Sequence, residues 1–190
     1  MLLLVGLGNP GPKDLNNRHN IGFRIIDAVN LHFKLSKQKP KFKGLLTTGI
    51  VNEHKIYAIK PLTFMNNSGI AIKELIDYFR IDAKDVFVFH DDLDIDFGKI
   101  KAKFGGSSAG HHGIESIDKF IGKDYSRVRI GIGHPKNIKK VNNHVLEDFK
   151  EDEEDQIKEI AKKIVQLIPT LLEKKIDLFS SKVNHNLDGI

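Results

Sequence analysis

The chain has 190 residues, 40% of them hydrophobic and 29% charged, which is typical of one globular domain and argues against disorder. It contains no cysteine, which excludes disulfides, thiolate metal sites and cysteine nucleophiles and favours a cytoplasmic protein. No apolar run approaches the roughly 20 residues that span a bilayer, so we expect no membrane association. The net charge of +5 permits a polyanionic partner such as nucleic acid without requiring one.

The first half of the chain alternates predicted strands and helices. The apolar run Leu2–Val5 predicts a buried strand, and a turn rich in glycine and proline follows it. Asn20 is the expected N-cap of a helix that reaches about Phe33, because apolar residues recur there every four positions. The next predicted elements are a lysine-rich loop at 34–43, strands at 45–51 and 55–60, a helix from residue 67 or 68 and an apolar central strand at 86–89.

Two predicted strands of the second half are rich in basic residues. Lysines alternate with apolar side chains over 98–104, and arginines do so over 127–133. Their basic faces are either ordinary solvated surfaces or parts of one cationic surface. Beside the glycine-rich loop 105–113, which leads into a helix, such a surface would suit a phosphate. The residues concerned are Lys99, Lys101, Lys103, Arg127 and Arg129.

The remaining elements complete a layered fold. A helix should begin in the acidic run 151–155 and end or kink at Pro169, and a polar tail from Ser180 should fray. A basic loop is predicted at 136–140. Because strands alternate with helices, we predict a single α/β domain over residues 1–190, with three α/β/α layers and helices on both faces of a mixed, twisted sheet.

The glycine turn after the first strand matches Gly-x-Gly-x-x-Gly, a fingerprint of dinucleotide-binding folds. That fold needs a helix to begin inside the motif and an acidic residue after the second strand. Here Pro10 and Pro12 flank the third glycine, and a polar loop follows it. We therefore disfavour a nucleotide-dependent oxidoreductase and interpret the glycines as a turn at the end of a strand.

Polar residues near the predicted strand ends favour hydrolysis by directly activated water. No Gly-x-Ser-x-Gly motif indicates a serine nucleophile, so the chemistry needs a general base, a residue that orients it and donors for the oxyanion. His19 precedes a helix whose positive N-terminus should favour the neutral imidazole, and Asp91 could accept from its other nitrogen. Asn9, Asn66 and the backbone amides near Ser68 could hold substrate carbonyls.

These features also have structural interpretations. A histidine before a helix is commonly a cap or a surface residue, and paired aspartates after a strand commonly form a turn. A metal site is disfavoured, because adjacent side chains on a strand point in different directions. Its candidate ligands are His90, Asp91, His111 and His112.

Six stretches occur in order along nearly the whole chain. They are VGLGNPG at 5–11, RHNIGF at 18–23, KPLTFMNNSG at 60–69, HDDLD at 90–94, KFGGSSAGHHGI at 103–114 and RIGIGHP at 129–135. Together they resemble bacterial peptidyl-tRNA hydrolase. The resemblance implies hydrolysis of the ester between a peptide and the 3′ ribose of tRNA, by a cytoplasmic monomer that needs no metal, cofactor or protein partner.

The resemblance also implies roles for individual residues. His19 would be the general base, paired with Asp91. A tRNA phosphate would be bound by Lys103 and Arg129. The peptide main chain and the attacking water would be held by Asn9, Met65 and Asn66.

One position departs from the family pattern. The family usually has asparagine in a Gly-His-Asn-Gly segment that positions water and the peptidyl end, and this chain has His112 there. An imidazole can donate or accept, but it cannot offer both groups side by side as an amide does. We therefore expect hydrolysis to survive with a weaker or more pH-sensitive step. The departure leaves open a second hypothesis, a non-catalytic RNA-binding protein on the same scaffold.

Overall fold

The structure is a computed structural model and describes residues 1–135 and 141–185, so the basic loop predicted at 136–140 lies outside the described residues. Within these ranges one sheet contains the strands β1 (Leu2–Gly6), β2 (Lys39–Lys41), β3 (Gly44–Val51), β4 (His54–Pro61), β5 (Val86–Asp92), β6 (Ile100–Phe104) and β7 (Ser126–Gly131). The α-helices of the same ranges are α1 (Ile21–His32), α2 (Ser68–Phe79), α3 (His112–Ile121), α4 (Val141–Leu146), α5 (Glu151–Leu172) and α6 (Ile176–His185).

The sheet is mixed, as predicted, with its parallel strands at the centre. Its spatial order is β2-β3-β4-β1-β5-β7-β6. β1 pairs in parallel with β4 and β5, and β5 pairs in parallel with β7. The strands β2, β3 and β6 add antiparallel pairs toward the two edges. Because the parallel strands end at the same edge of the sheet, the polar residues at their carboxyl ends are brought together there.

Helices cover both faces of the sheet, which confirms the three-layer α/β/α prediction. One apolar core lies between the sheet and the helices α1, α5 and α6, and Phe87 and Phe89 enter it. A second core lies between the sheet and the helices α2 and α3, and Val86 and Val88 enter it. Alternate residues of β5 thus face opposite cores, as its continuous apolar run predicts. Among the helices described, none is long and apolar enough to cross a membrane.

The glycines of the opening turn allow close packing. A Cβ atom at Gly6 would lie 2.2 Å from the carbonyl oxygen of Gly22, and one at Gly22 would lie 2.3 Å from the backbone nitrogen of Leu7. The start of α1 therefore rests backbone to backbone on the end of β1. A 3-10 turn at Pro12–Asp14, and no α-helix, follows the glycine motif. This packing holds the residues before α1 at the carboxyl edge of the sheet.

Two predictions about helix ends need correction. Asn20 stands at the N-cap position of α1, but its side chain does not cap the helix. It is used instead to hold the backbone of Asn9. Of the two outcomes predicted at Pro169, an end of the helix there is wrong: α5 continues through Pro169 to Leu172, and buried side chains on both sides of the proline keep this part of the helix packed on the core.

Two predicted loops are partly ordered into secondary structure. The lysine-rich segment 34–43 contains the three-residue strand β2. The tail from Ser180 does not fray before His185, because its polar side chains bind the edge strand β6. Ser180 Oγ accepts from the amide of Ala102 at 2.7 Å, and Asn184 Oδ1 accepts from the amide of Ile100 at 2.9 Å. The helix α6 thus covers backbone groups that an edge strand would otherwise expose.

Candidate active site

Three side chains from separate parts of the chain meet at the carboxyl edge of the sheet. Asp91 is the second-last residue of β5, and only 2% of it is exposed. His19 lies in a 3-10 turn, Arg18–Asn20, directly before α1. His111 is the residue before α3. Because β5 is a central strand and both helices begin at the edge where it ends, the fold brings these side chains into contact.

Asp91 accepts hydrogen bonds from both histidines. Nδ1 of His19 lies 2.9 Å from each oxygen of the Asp91 carboxylate, and Nε2 of His111 lies 3.0 Å from its Oδ1. Nδ1 of His111 accepts from the backbone amides of Gly113 and Ile114, so the proton of this ring is on Nε2. The carboxylate therefore receives one N–H from each ring. Nε2 of His19 is left with its lone pair.

Burial and charge act in opposite directions on this cluster. Burial raises the pKa of Asp91, but the charges and hydrogen bonds of His19 and His111 outweigh it and hold that pKa far below its usual range. Burial lowers the pKa of His19, but the charge and hydrogen bond of Asp91 outweigh it, so the pKa of His19 is raised from 6.5. The expectation that the helix N-terminus keeps His19 neutral is therefore wrong in its net direction. A carboxylate in direct contact acts more strongly than a helix end.

A third histidine, His90, packs against the cluster. Its ring centroid lies 4.8 Å from that of His111, and its Nδ1 donates to the backbone oxygen of Asp91 at 2.7 Å. Burial, followed by the charge of His111, lowers the pKa of His90 well below 6.5, so this ring stays neutral. Its Nε2 is buried without a hydrogen-bond partner among the described residues. We interpret His90 as support for the position of His111.

Asn9 and Met65, two of the residues expected to bind substrate, lie side by side. Oδ1 of Asn9 accepts from the amide of Met65 at 2.8 Å, which fixes the orientation of the Asn9 side chain. The side chain of Asn20 holds Asn9 in turn, accepting from its amide at 2.8 Å and donating to its carbonyl at 2.9 Å. Gly113 packs closely against Met65, because a Cβ atom at Gly113 would lie only 2.5 Å from Sδ of Met65. Asn66, the next residue, is exposed.

A cleft of about 330 Å³ opens beside the histidine and aspartate cluster. Its lining includes His19, Asp91, His111 and the helix α4. His112 also lines the cleft, but 70% of its side chain is exposed and its Nδ1 lies 3.2 Å from Oε2 of Glu115. His112 is therefore placed near the candidate base without joining the cluster around Asp91. The volume is in the range of pockets that hold small ligands or part of a larger one.

The predicted cationic surface is smaller than the alternation of residues suggests. Strands β6 and β7 place Lys103 opposite Arg127 and Lys101 opposite Arg129. Arg127 is only 1% exposed, because it donates to Asp118 at 2.7 Å and to a loop carbonyl. It anchors the loop before α3 and cannot face a solvent-borne ligand.

Lys103 and Arg129 are the candidate phosphate-binding pair that the resemblance implies. Nε of Arg129 donates to Oδ2 of Asp92 at 2.7 Å, which orients the guanidinium. Burial and then the charges of Arg129 and Arg127 lower the pKa of Lys103. Within the described ranges, the ammonium group of Lys103 forms no hydrogen bond or ion pair. An added anion would relieve the repulsion among these cations.

The cluster of His19, Asp91 and His111 also offers possible metal ligands, whose nitrogen and oxygen atoms all lie within 4.8 Å of one another. The hydrogen bonds oppose this use. Nδ1 of His111 is occupied by two backbone amides, and its Nε2 carries a proton. Nδ1 of His19 points its proton at Asp91. The donor set therefore suits a hydrogen-bond network around one carboxylate better than a metal centre.

Sequence reasoning missed two residues of this site. It considered His111 only as a metal ligand, and it considered Asn20 only as a cap. His111 carries the same signal that singled out His19, a histidine placed directly before a helix. Nothing in the sequence indicates that Asn20 would hold the backbone of Asn9.

A family profile and several known proteins match almost the whole chain. The profile of the family described as peptidyl-tRNA hydrolase matches residues 3–188. The peptidyl-tRNA hydrolase of Pelagibacter ubique (strain HTCC1062) is 71% identical over 97% of this chain and 100% of that protein. That of Ehrlichia ruminantium (strain Welgevonden) is 43% identical over 95% of this chain and 93% of that protein. The crystal structure of the Acinetobacter baumannii enzyme has a TM-score of 0.91 and 31% identity, over 97% of this chain and 94% of that one.

The motifs, the fold and these matches agree. The relatives are named as hydrolases, which weighs against the non-catalytic RNA-binding alternative. The chain belongs to the peptidyl-tRNA hydrolase family and is an enzyme that hydrolyses peptidyl-tRNA.

Proposed function

We propose that the chain cleaves the ester between the peptide and the 3′ ribose of tRNA with a water molecule activated by His19. The observation that carries this proposal is the hydrogen bond of His19 Nδ1 to Asp91, which leaves Nε2 unprotonated. His19 lines the cleft, and 11% of its side chain is exposed. Its ring can therefore reach a water held in the cleft while Asp91 fixes its tautomer.

The reaction needs two proton transfers. Nε2 of His19 takes a proton from the water as the water oxygen bonds to the ester carbonyl carbon, and a tetrahedral oxyanion forms. The Asp91 carboxylate stabilises the imidazolium that results. The bond between the carbonyl carbon and the ribose oxygen then breaks, and the imidazolium gives its proton to that oxygen. Free tRNA and free peptide are released.

We assign the peptide end of the substrate to Asn9, Met65 and Asn66. The Asn9 side chain is held by Met65, and its Nδ2 makes no hydrogen bond in the parts of the chain that the structure describes. A fixed amide donor of this kind suits a peptide carbonyl or the developing oxyanion. Asn66, the residue after Met65, is exposed and offers a second amide.

We assign a tRNA phosphate to Lys103 and Arg129. Removing Lys103 should weaken binding of peptidyl-tRNA and flatten its salt dependence, because fewer counterions are then released on binding. We expect Lys103→Ala to raise KM and to reduce the slope of log K against log salt by about one phosphate contact. Hydrolysis of a small ester substrate should barely change.

The matched control for this prediction is Lys162→Ala. Lys162 lies on α5, on the opposite face of the sheet from α3, and 64% of its side chain is exposed. The Lys162→Ala substitution removes the same charge from the chain without changing a residue of β6 or β7. If both variants lose the same affinity and the same salt slope, the effect belongs to net charge and Lys103 has no specific role.

His112 is assigned to the substrate side of the cleft, where its exposed ring lies next to Glu115. An asparagine there would offer a donor and an acceptor together at any pH. We therefore expect His112→Asn to raise kcat and to make the rate less dependent on pH. Parallel pH profiles of the two proteins test this. Unchanged rates and an unchanged profile would remove His112 from the substrate site.

We further infer that the chain works as a monomer, without metal, cofactor or protein partner, in the cytoplasm.

One assay tests the proposed function as a whole. Purified protein is incubated with peptidyl-tRNA and a chelator, and free tRNA is measured. Release of tRNA is expected at concentrations where the protein sediments as a monomer. Binding without release would favour the RNA-binding alternative, and a requirement for added metal would contradict the water mechanism.

A further inference from the structure

We infer that Arg18 is a positioning residue. It attaches the turn that contains His19 to the α4 wall, the side of the cleft that is formed by α4. The inference rests on the proposed role of His19 as the general base. Arg18 directly precedes His19 and is only 3% exposed, an uncommon environment for an arginine. Its guanidinium is held by the segment that connects α4 to α5.

Arg18 makes several hydrogen bonds to that connecting segment and to the start of α5. Nη1 of Arg18 lies 3.2 Å from the carbonyl oxygen of Glu147 and 2.8 Å from that of Asp148. Nη2 donates to Oε2 of Glu153 at 2.6 Å. The backbone amide of Arg18 also donates to the Glu147 carbonyl, at 3.1 Å. The fork of donors thus satisfies two carbonyls and one carboxylate at once, which an ammonium group cannot reproduce.

The segment that Arg18 holds is itself part of the cleft architecture. It follows α4, which supplies Val141, Asn142 and Val145 to the cleft lining. The Glu153 carboxylate also accepts from the amide of Lys150 at 2.8 Å, in the capping box of α5. Arg18 therefore connects three elements: the turn before α1, the α4 wall and the start of α5.

Arg24 offers a natural comparison, because its guanidinium contacts the same aromatic ring. The guanidinium carbon of Arg24 lies 5.6 Å from the centroid of Phe149, and that of Arg18 lies 5.3 Å from it. Arg24 donates to both oxygens of Glu154 at 2.9 and 2.7 Å. Within the described residues its hydrogen bonds run only to Glu154. Arg24 thus ties α1 to α5 and meets the segment after α4 only through the ring of Phe149, without a hydrogen bond to it.

The test compares Arg18→Met, Arg18→Lys and Arg24→Met, each assayed well below its unfolding temperature. We expect Arg18→Met to lower kcat/KM for peptidyl-tRNA by about 10- to 100-fold, because a small displacement of the base and the cleft wall misplaces water and substrate. The loss should appear as a lower kcat and a higher KM. Arg18→Lys should lie between Arg18→Met and wild type, and it keeps the test open if Arg18→Met does not fold. Arg24→Met should stay near wild type.

The pH profile separates positioning from electrostatics. Because the contact with Asp91 raises the pKa of His19 against the effect of burial, the Arg18 variants should keep the wild-type apparent pKa while their rates fall. A shifted apparent pKa, or Arg18 variants that match Arg24→Met in kcat and KM, would overturn the inference even if their unfolding temperatures were lower. His19→Ala, measured beside them, distinguishes the two claims. If His19→Ala still hydrolyses peptidyl-tRNA, His19 is excluded as the base. If His19→Ala is inactive but the Arg18 variants have normal activity, only the proposed role of Arg18 is excluded.

Discussion

His19→Ala is expected to lower kcat/KM for peptidyl-tRNA by about 10²–10⁴-fold, the range typical of losing a general base. Hydrogen bonds connect His19, Asp91 and His111. Among the described residues of this cluster, they leave one nitrogen lone pair available beside the cleft, that of His19 Nε2, and the variant removes it. Steady-state release of tRNA measures the loss. Binding should survive, because the assigned phosphate and peptide contacts are made by other residues.

His32→Ala is the control for this variant. His32 is an exposed histidine at the far end of the same helix, α1, and its ring contacts Phe33. The His32→Ala substitution should leave turnover unchanged. Circular dichroism of both variants checks that they fold. A folded His19→Ala protein that hydrolyses peptidyl-tRNA as fast as His32→Ala would exclude His19 as the base.

Asp91→Asn is expected to cause a loss of similar size, up to about 10⁴-fold in kcat, through the wrong tautomer of His19. An asparagine offers one acceptor oxygen where the carboxylate offers two. His111 must donate from Nε2, since its Nδ1 is occupied by backbone amides, and it would take that oxygen. The amide N–H of the new asparagine would then face Nδ1 of His19. The proton of His19 would move to Nε2, where it blocks base catalysis.

Asp27→Asn provides the comparison for this substitution. Asp27 is a carboxylate paired with the largely buried Lys60 at 2.6 Å, outside the cleft. It should affect stability without lowering kcat. Proton NMR of the imidazole N–H signals would report the tautomer directly. Asp91→Asn with near wild-type kcat, or with His19 still protonated on Nδ1, would contradict the proposed role of Asp91.

The sequence predicts the fold because its signals are local. Periodic apolar residues identify α1 and α5, and the continuous apolar run 86–89 identifies a strand buried on both faces. Their order then places His19, Asp91 and Asn9 near the carboxyl ends of the central strands. The contacts among these residues are less predictable, because they depend on a few ångströms of packing between elements far apart in the chain.

Arg127 and Arg18 show where sequence reasoning stops. A strand with alternating basic residues looks the same whether its basic face meets solvent or, as at Arg127, meets Asp118 on a neighbouring helix. Likewise, residue type and charge do not reveal that Arg18 hydrogen-bonds the segment after α4 whereas Arg24 hydrogen-bonds Glu154 of α5. The net charge of a strand or helix is readable from residues, whereas the partner of each charge is set by tertiary structure.

The pH dependence of single-turnover hydrolysis, measured for wild type and His19→Ala with enzyme in excess, tests the central claim most directly. Protonated His19 cannot accept a proton, and its pKa is raised above 6.5 by Asp91. The wild-type rate should therefore rise with pH and level off above an apparent pKa higher than 6.5, whereas the variant should be slow and independent of pH over this range. A variant that keeps the wild-type rise would show that another group activates the water.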